Sequence, residues 1–104
     1  MMDSQVQNKS DLLGLIKAHT TAIKNFGVCR LGLFGSFVRD EVHQNSDIDL
    51  LVEFEPHQKT YKNFIGFAFF AEKITGRNVE VITPQSLSPF LGPKILKSVE
   101  YVAL

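Results

Sequence analysis

Residues 35–54, GSFVRDEVHQNSDIDLLVEF, decide how this chain is read. From Asp47 to Phe54 polar and apolar positions alternate, and side chains two apart on a strand share a face. Asp47 and Asp49 therefore stand together, while Ile48, Leu50, Val52 and Phe54 make an apolar face suited to a core. Asn45-Ser46 marks a turn before this strand, and Pro56 ends it. Two adjacent carboxylates repel each other, and a proton or a cation must relieve that repulsion. At a strand start that meets water the pair suits magnesium, which keeps several waters and takes phosphate oxygens as further ligands. An ordinary solvated Asp-x-Asp is the alternative, because many surface strands carry one.

Working outward, Cys29 to Phe34 reads as a strand that ends at Gly35, and Ser36 opens a short helix. Such a junction exposes backbone N–H groups at the positive end of a helix. Gly35 lets the backbone come close to an anion, the Ser36 hydroxyl adds a donor, and Arg39 lies on the same helical face as Ser36. A plain turn with a serine cap explains the same residues. Downstream, Val79-Glu80-Val81-Ile82 sets a carboxylate between β-branched residues that should face the core. Glu80 could thus join the two aspartates, or simply face solvent. An anion cradle and an acid pair joined by one short helix form a site for a nucleoside triphosphate, and they favour in-line phosphoryl or nucleotidyl transfer.

Composition narrows the setting. The chain has 104 residues, 44% hydrophobic and 21% charged, enough to bury a core as one domain spanning residues 1–104. Eleven acidic residues balance eleven basic ones, so no bulk positive field exists to hold a nucleic-acid backbone. Six of the acids fall between Asp40 and Glu55. Cys29 is the single cysteine, which excludes an internal disulfide; its apolar neighbours suggest a buried position in a reducing compartment. The N-terminus lacks a signal-peptide core, and the longest apolar run, Phe64 to Ala71, falls far below the roughly 20 residues needed to cross a bilayer. A soluble, cytoplasmic domain is expected.

The remaining segments give an α/β (α+β) order around a small three-stranded sheet. Residues 1–9 are polar and expected to fray. Ser10 can cap a helix that carries Leu12, Ile16, Ile23 and Phe26 and stops at Gly27, with His19 as a packing or surface residue. Thr60 to Thr75 is a helix ending at Gly76, Asn78 to Thr83 a third strand stopped by Pro84, and a last helix carries Ile95, Leu96 and Val99. The helix over 60–75 is apolar around most of its circumference, from Tyr61 and Phe64 to Phe70 and Ile74. Part of it should remain exposed and mark an interface.

With Gly35-Ser36 separated by ten residues from Asp47-Ile48-Asp49, the chain resembles the minimal nucleotidyltransferases of the DNA polymerase beta superfamily. The resemblance runs from about Leu31 to Thr83. It implies a mixed sheet and two Mg²⁺ ions about 3.5–4 Å apart, with Asp47 and Asp49 as catalytic metal ligands. Glu80 would be the third acid, where many relatives carry Asp. Gly35 and Ser36 would grip the triphosphate of ATP, helped by Arg39. Free-standing members of this size resemble the antitoxin of HEPN/MNT toxin–antitoxin pairs, which transfers AMP from ATP to a tyrosine hydroxyl of the HEPN-domain toxin. The implied partners are therefore ATP and a HEPN toxin in a hetero-oligomer, without membrane or direct nucleic-acid binding. Two other readings stay open. One is an inert antitoxin that works by occlusion, and the other a transferase modifying a small molecule such as an antibiotic.

Overall fold

The computed structural model describes residues 5–39 and 41–104. Along the chain run α1 (Lys9–Ala18), α2 (Thr20–Asn25), β1 (Val28–Phe34), α3 (Ser36–Arg39), β2 (Ile48–Phe54) and α4 (Tyr61–Thr75). They are followed by β3 (Val79–Ile82), a 3-10 turn (Pro84–Ser86), α5 (Gly92–Ser98) and β4 (Glu100–Val102). The strands form one mixed sheet in the order β3-β2-β1-β4. β1 is antiparallel to both β2 and β4, while β2 and β3, joined through α4, are parallel. The expected α+β class holds, with four strands among the described residues where the sequence suggested three. β4 spans only three residues and owes its existence to pairing with Leu31–Leu33, so it leaves no local apolar pattern.

The alternation in β2 builds the core. Ile48 and Val52 are fully buried and Leu50 nearly so, as are Leu31 and Leu33 of β1. Against this face pack Leu12 and Ile16 of α1, Ile23 of α2, and Phe67 and Ala71 of α4. Each of the larger of these side chains contributes about 1.5–3 kcal/mol by leaving water. Helix α4 has clear stops at both ends. The Thr60 side chain accepts the Asn63 N–H at 3.1 Å, and Gly76 adopts a left-handed conformation at φ 71°.

Four details differ from the sequence reading. The first helix is capped by Asn8, whose Oδ1 accepts the Asp11 N–H at 2.8 Å, and not by Ser10. It breaks at His19, where the His19 ring nitrogen bonds Leu15 O and the Thr20 hydroxyl donates back to Lys17 O, pulling the backbone out of helical register. His19 itself packs edge-on against Phe70, as a packing residue should. Cys29 is exposed. A register shift between Val28 and Arg30 turns it outward, because a bulge resets the alternation on which burial was inferred. Lastly, the frayed segment expected over 1–9 is tied down where it is described: Val6 is buried and donates its N–H to Thr75 O at 3.0 Å. Residues 1–4 lie outside the described residues.

The breadth of the apolar surface on α4 exceeds what the sheet can cover. Phe67 is buried, but Tyr61 remains 81% and Phe69 66% exposed. No helix among the described residues is long and apolar enough to cross a membrane.

Candidate active site

The site lies where β1 ends and β2 begins. In the antiparallel register Phe34 pairs with Asp49, so the turn after β1 is brought beside the carboxylate. Gly35 occupies that turn at φ 80°, a conformation that side chains disfavour. A Cβ at this position would collide with Asp49 Oδ2. Glycine is therefore required twice over, once for backbone conformation and once for space. The Gly35 carbonyl accepts the N–H groups of Val38 and Arg39 at 3.1 and 3.2 Å, which starts α3.

Helix α3 has four residues only. The helix-end dipole expected from the sequence is correspondingly weak, since it grows with the number of aligned peptides. What the turn offers is close backbone approach and the half-buried Ser36 hydroxyl. Arg39 is largely exposed and its Nε donates to Glu41 Oε1 at 2.7 Å. It nevertheless lowers the Asp49 pKa by its charge, so it is near enough to act on the same locality. Asp40, one of the acids clustered in sequence, lies outside the described residues.

Parallel pairing of β2 with β3 sets Asp49 directly against Glu80. Asp47, just before β2, is exposed. The Asp49 carboxyl is pushed from its ordinary 3.8 up to about 6. Burial is the largest cause, followed by a hydrogen bond shared with Glu80 and by the charges of Glu80 and Asp47. All three acids named from the sequence thus act on one spot. Among the described residues no three His, Cys, Asp or Glu side chains close into a cage that could hold a metal alone. That open arrangement fits a magnesium site, because this ion uses one or two carboxylates and completes its shell with water and substrate phosphates. Crowded acid oxygens beside a glycine with no room for a side chain are a suitable donor set.

Sequence reasoning missed Arg77. It is 5% exposed and hydrogen-bonded to the turn that leads into Asp47, through Ser46 O at 2.8 Å and His43 O at 3.0 Å. The only local signal was an arginine following the glycine at a helix end, which is commonplace.

A family model for the nucleotidyltransferase domain matches residues 16–102. The protein adenylyltransferase MntA of Thermococcus cleftensis is 33% identical over 93 residues, covering 88% of this chain and 93% of that protein. A solved structure of a candidate minimal nucleotidyltransferase superposes with a TM-score of 0.79 at 27% identity, covering 97% of this chain and 100% of the other. A toxin–antitoxin structure with AMP-PNP shares the fold, with a TM-score of 0.63 at 19% identity over 90% of this chain and 71% of that one. With the Gly35 turn, the acid pair at the start of β2 and Glu80 gathered at one sheet end, the chain belongs to the nucleotidyltransferase domain family and is an enzyme of its minimal kind.

Proposed function

We propose that this protein, as a single-domain cytoplasmic antitoxin, transfers AMP from ATP to a tyrosine hydroxyl of a HEPN-type toxin partner in a magnesium-dependent reaction. The observation that carries the reading is the contact of Asp49 with Gly35, which fuses a turn able to take a triphosphate with a set of acids. The names of the relatives, a protein adenylyltransferase and a toxin–antitoxin complex with a nucleotide analogue, support the adenylyl donor and the protein partner.

The transfer makes a bond from the acceptor oxygen to the α-phosphorus and breaks the α–β anhydride, releasing pyrophosphate. Two Mg²⁺ ions, held by Asp47, Asp49 and Glu80, would neutralise phosphate charge and ease ionisation of the attacking hydroxyl. Asp49 must be ionised to serve, and a carboxyl raised to about 6 is ionised at neutral pH. Glu80, exposed beside Asp49, takes the hydroxyl proton. Ser36 Oγ donates to a phosphate oxygen while the Gly35 backbone admits the phosphate chain. Arg39, free to leave its exposed pairing with Glu41, adds charge on the departing pyrophosphate. The exposed Tyr61 and Phe69 of α4 are the surface this reading gives to the partner in a hetero-oligomer. The balanced charge argues against nucleic acid as the acceptor.

The test incubates the chain with its partner toxin, Mg²⁺ and ATP labelled at the α-phosphate. Label should enter a tyrosine of the toxin and vanish with EDTA or with Asp47→Ala/Asp49→Ala. An unlabelled toxin, or labelling undiminished by the double substitution, would refute the proposal.

A further inference from the structure

The buried guanidinium of Arg77 touches both halves of the site. It sits between Gly76, which ends α4, and the start of β3. Its Nη1 donates to Ser46 O at 2.8 Å, His43 O at 3.0 Å and Gln44 O at 3.3 Å, and its Nε to Val6 O at 2.7 Å. The turn it gathers is also closed on itself, with Ser46 N–H on His43 O at 3.0 Å and His43 N–H on Ser46 Oγ at 2.9 Å. Asp47 is the next residue. On its other side the guanidinium carbon lies 5.2 Å from the ring centre of Phe37, which is 1% exposed and follows Ser36 directly. One planar group therefore contacts the residue next to the anion-holding turn and the residue next to the acid pair. Burying a guanidinium costs several kcal/mol unless its hydrogen bonds are made; here Nε and Nη1 are satisfied by backbone oxygens whose position matters to the site, while Nη2 is buried without a partner among the described residues.

We propose that Arg77 is a positioning residue that keeps the Gly35-Ser36 turn and the Asp47-Asp49 pair in mutual register. This rests on the nucleotidyl-transfer reading of those residues. Lysine cannot replace it, because a single ammonium on a flexible stem lacks the planar fork that spans Val6 and residues 43–46 while stacking on Phe37. Misplacing reacting groups by about 1 Å costs roughly 100-fold in rate.

The experiment compares Arg77→Lys with Ile16→Val, a core change remote from the site, in the full chain with its toxin. At a temperature where both are folded, Arg77→Lys should lower kcat about 100-fold with KM for ATP changed by less than about threefold. Ile16→Val should keep the parent kcat. Hydrogen exchange on the metal-free chain gives a readout independent of catalysis. In Arg77→Lys, exchange should quicken together at Val38–Arg39 and at Ser46–Ile48. Phe37→Leu, which spares the guanidinium, should quicken Ser46 about fivefold, the size expected for coupling through packed contacts. This variant decides the matter if Arg77→Lys fails to fold. A kcat equal to that of Ile16→Val, or loosening confined to one segment, would overturn the proposal. If the parent labels no acceptor, the transfer reading fails, while the exchange data still decide on Arg77.

Discussion

The two faces of β2 are built to opposite rules. On one, Ile48, Leu50 and Val52 are sealed against α1, α2 and α4, and every group is apolar and satisfied. On the other, Asp49 is half-buried beside Glu80 and Asp47 and against a glycine in a disfavoured conformation. The first face lowers the free energy of the fold. The second raises it, through a partly desolvated carboxyl crowded by like charges and a glycine in a disfavoured conformation. Stability and chemistry thus separate one residue at a time where this strand begins; further along, Leu51 on the Asp49 face is fully buried.

The largest expected effect is on the acid face. With Asp49 in its proposed role as a metal ligand, Asp49→Ala should reduce AMP transfer at least ~1000-fold, through loss of charge stabilisation made in the transition state. Its thermal midpoint should not fall, and a scan of the metal-free variant checks that. On the core face, Leu31→Ala should cost about 3 kcal/mol in denaturant unfolding, with transfer per folded molecule unchanged. Gly35→Ala should do both: about 1–3 kcal/mol of strain, together with displacement of Asp49, read as parallel losses of midpoint and rate.

A smaller effect concerns pH. The folded pKa of Asp49, about 6, lies above the unfolded value, so the folded state holds the proton more tightly. The resulting stabilisation is complete below about pH 4 and is lost as pH rises through 6. Asp49→Asn should therefore stabilise the metal-free protein at pH 8 by about 1 kcal/mol, after allowance for solvent screening of a half-open carboxyl, and flatten its pH dependence. Urea titrations of parent and variant at pH 4 and pH 8 measure it. The smallest effect belongs to α4: Phe69→Ser should leave stability within about 0.5 kcal/mol and yet weaken co-elution with the proposed toxin partner.

What the sequence disclosed divides along similar lines. The β2 alternation, the glycine at the β1 turn and the Thr60 and Gly76 limits of α4 are local, each encoded within a few residues. The acids could be grouped because a period of two fixes their face, and because β3 repeats the pattern. Features that depend on distant partners stayed hidden. β4 forms only against β1, Cys29 turns outward because the β1–β2 register slips, and Val6 is held by Thr75 and Arg77 and by the core it joins. Arg77 was invisible for the same reason: its bonds reach across 31 to 71 positions of the chain. Composition describes such an arginine as a surface cation, and topology makes it an internal one.

The outer strands of the sheet have a further consequence. β3 and β4 stand at its two margins, spanning four and three residues, and each carries a glutamate, Glu80 and Glu100. Short charged margins discourage the sideways addition of strands from other molecules. Glu80 therefore guards against self-association apart from its proposed place in the site, and Glu80→Val would leave an unbroken run of β-branched residues along an open margin, inviting insoluble aggregates even where folding itself is intact.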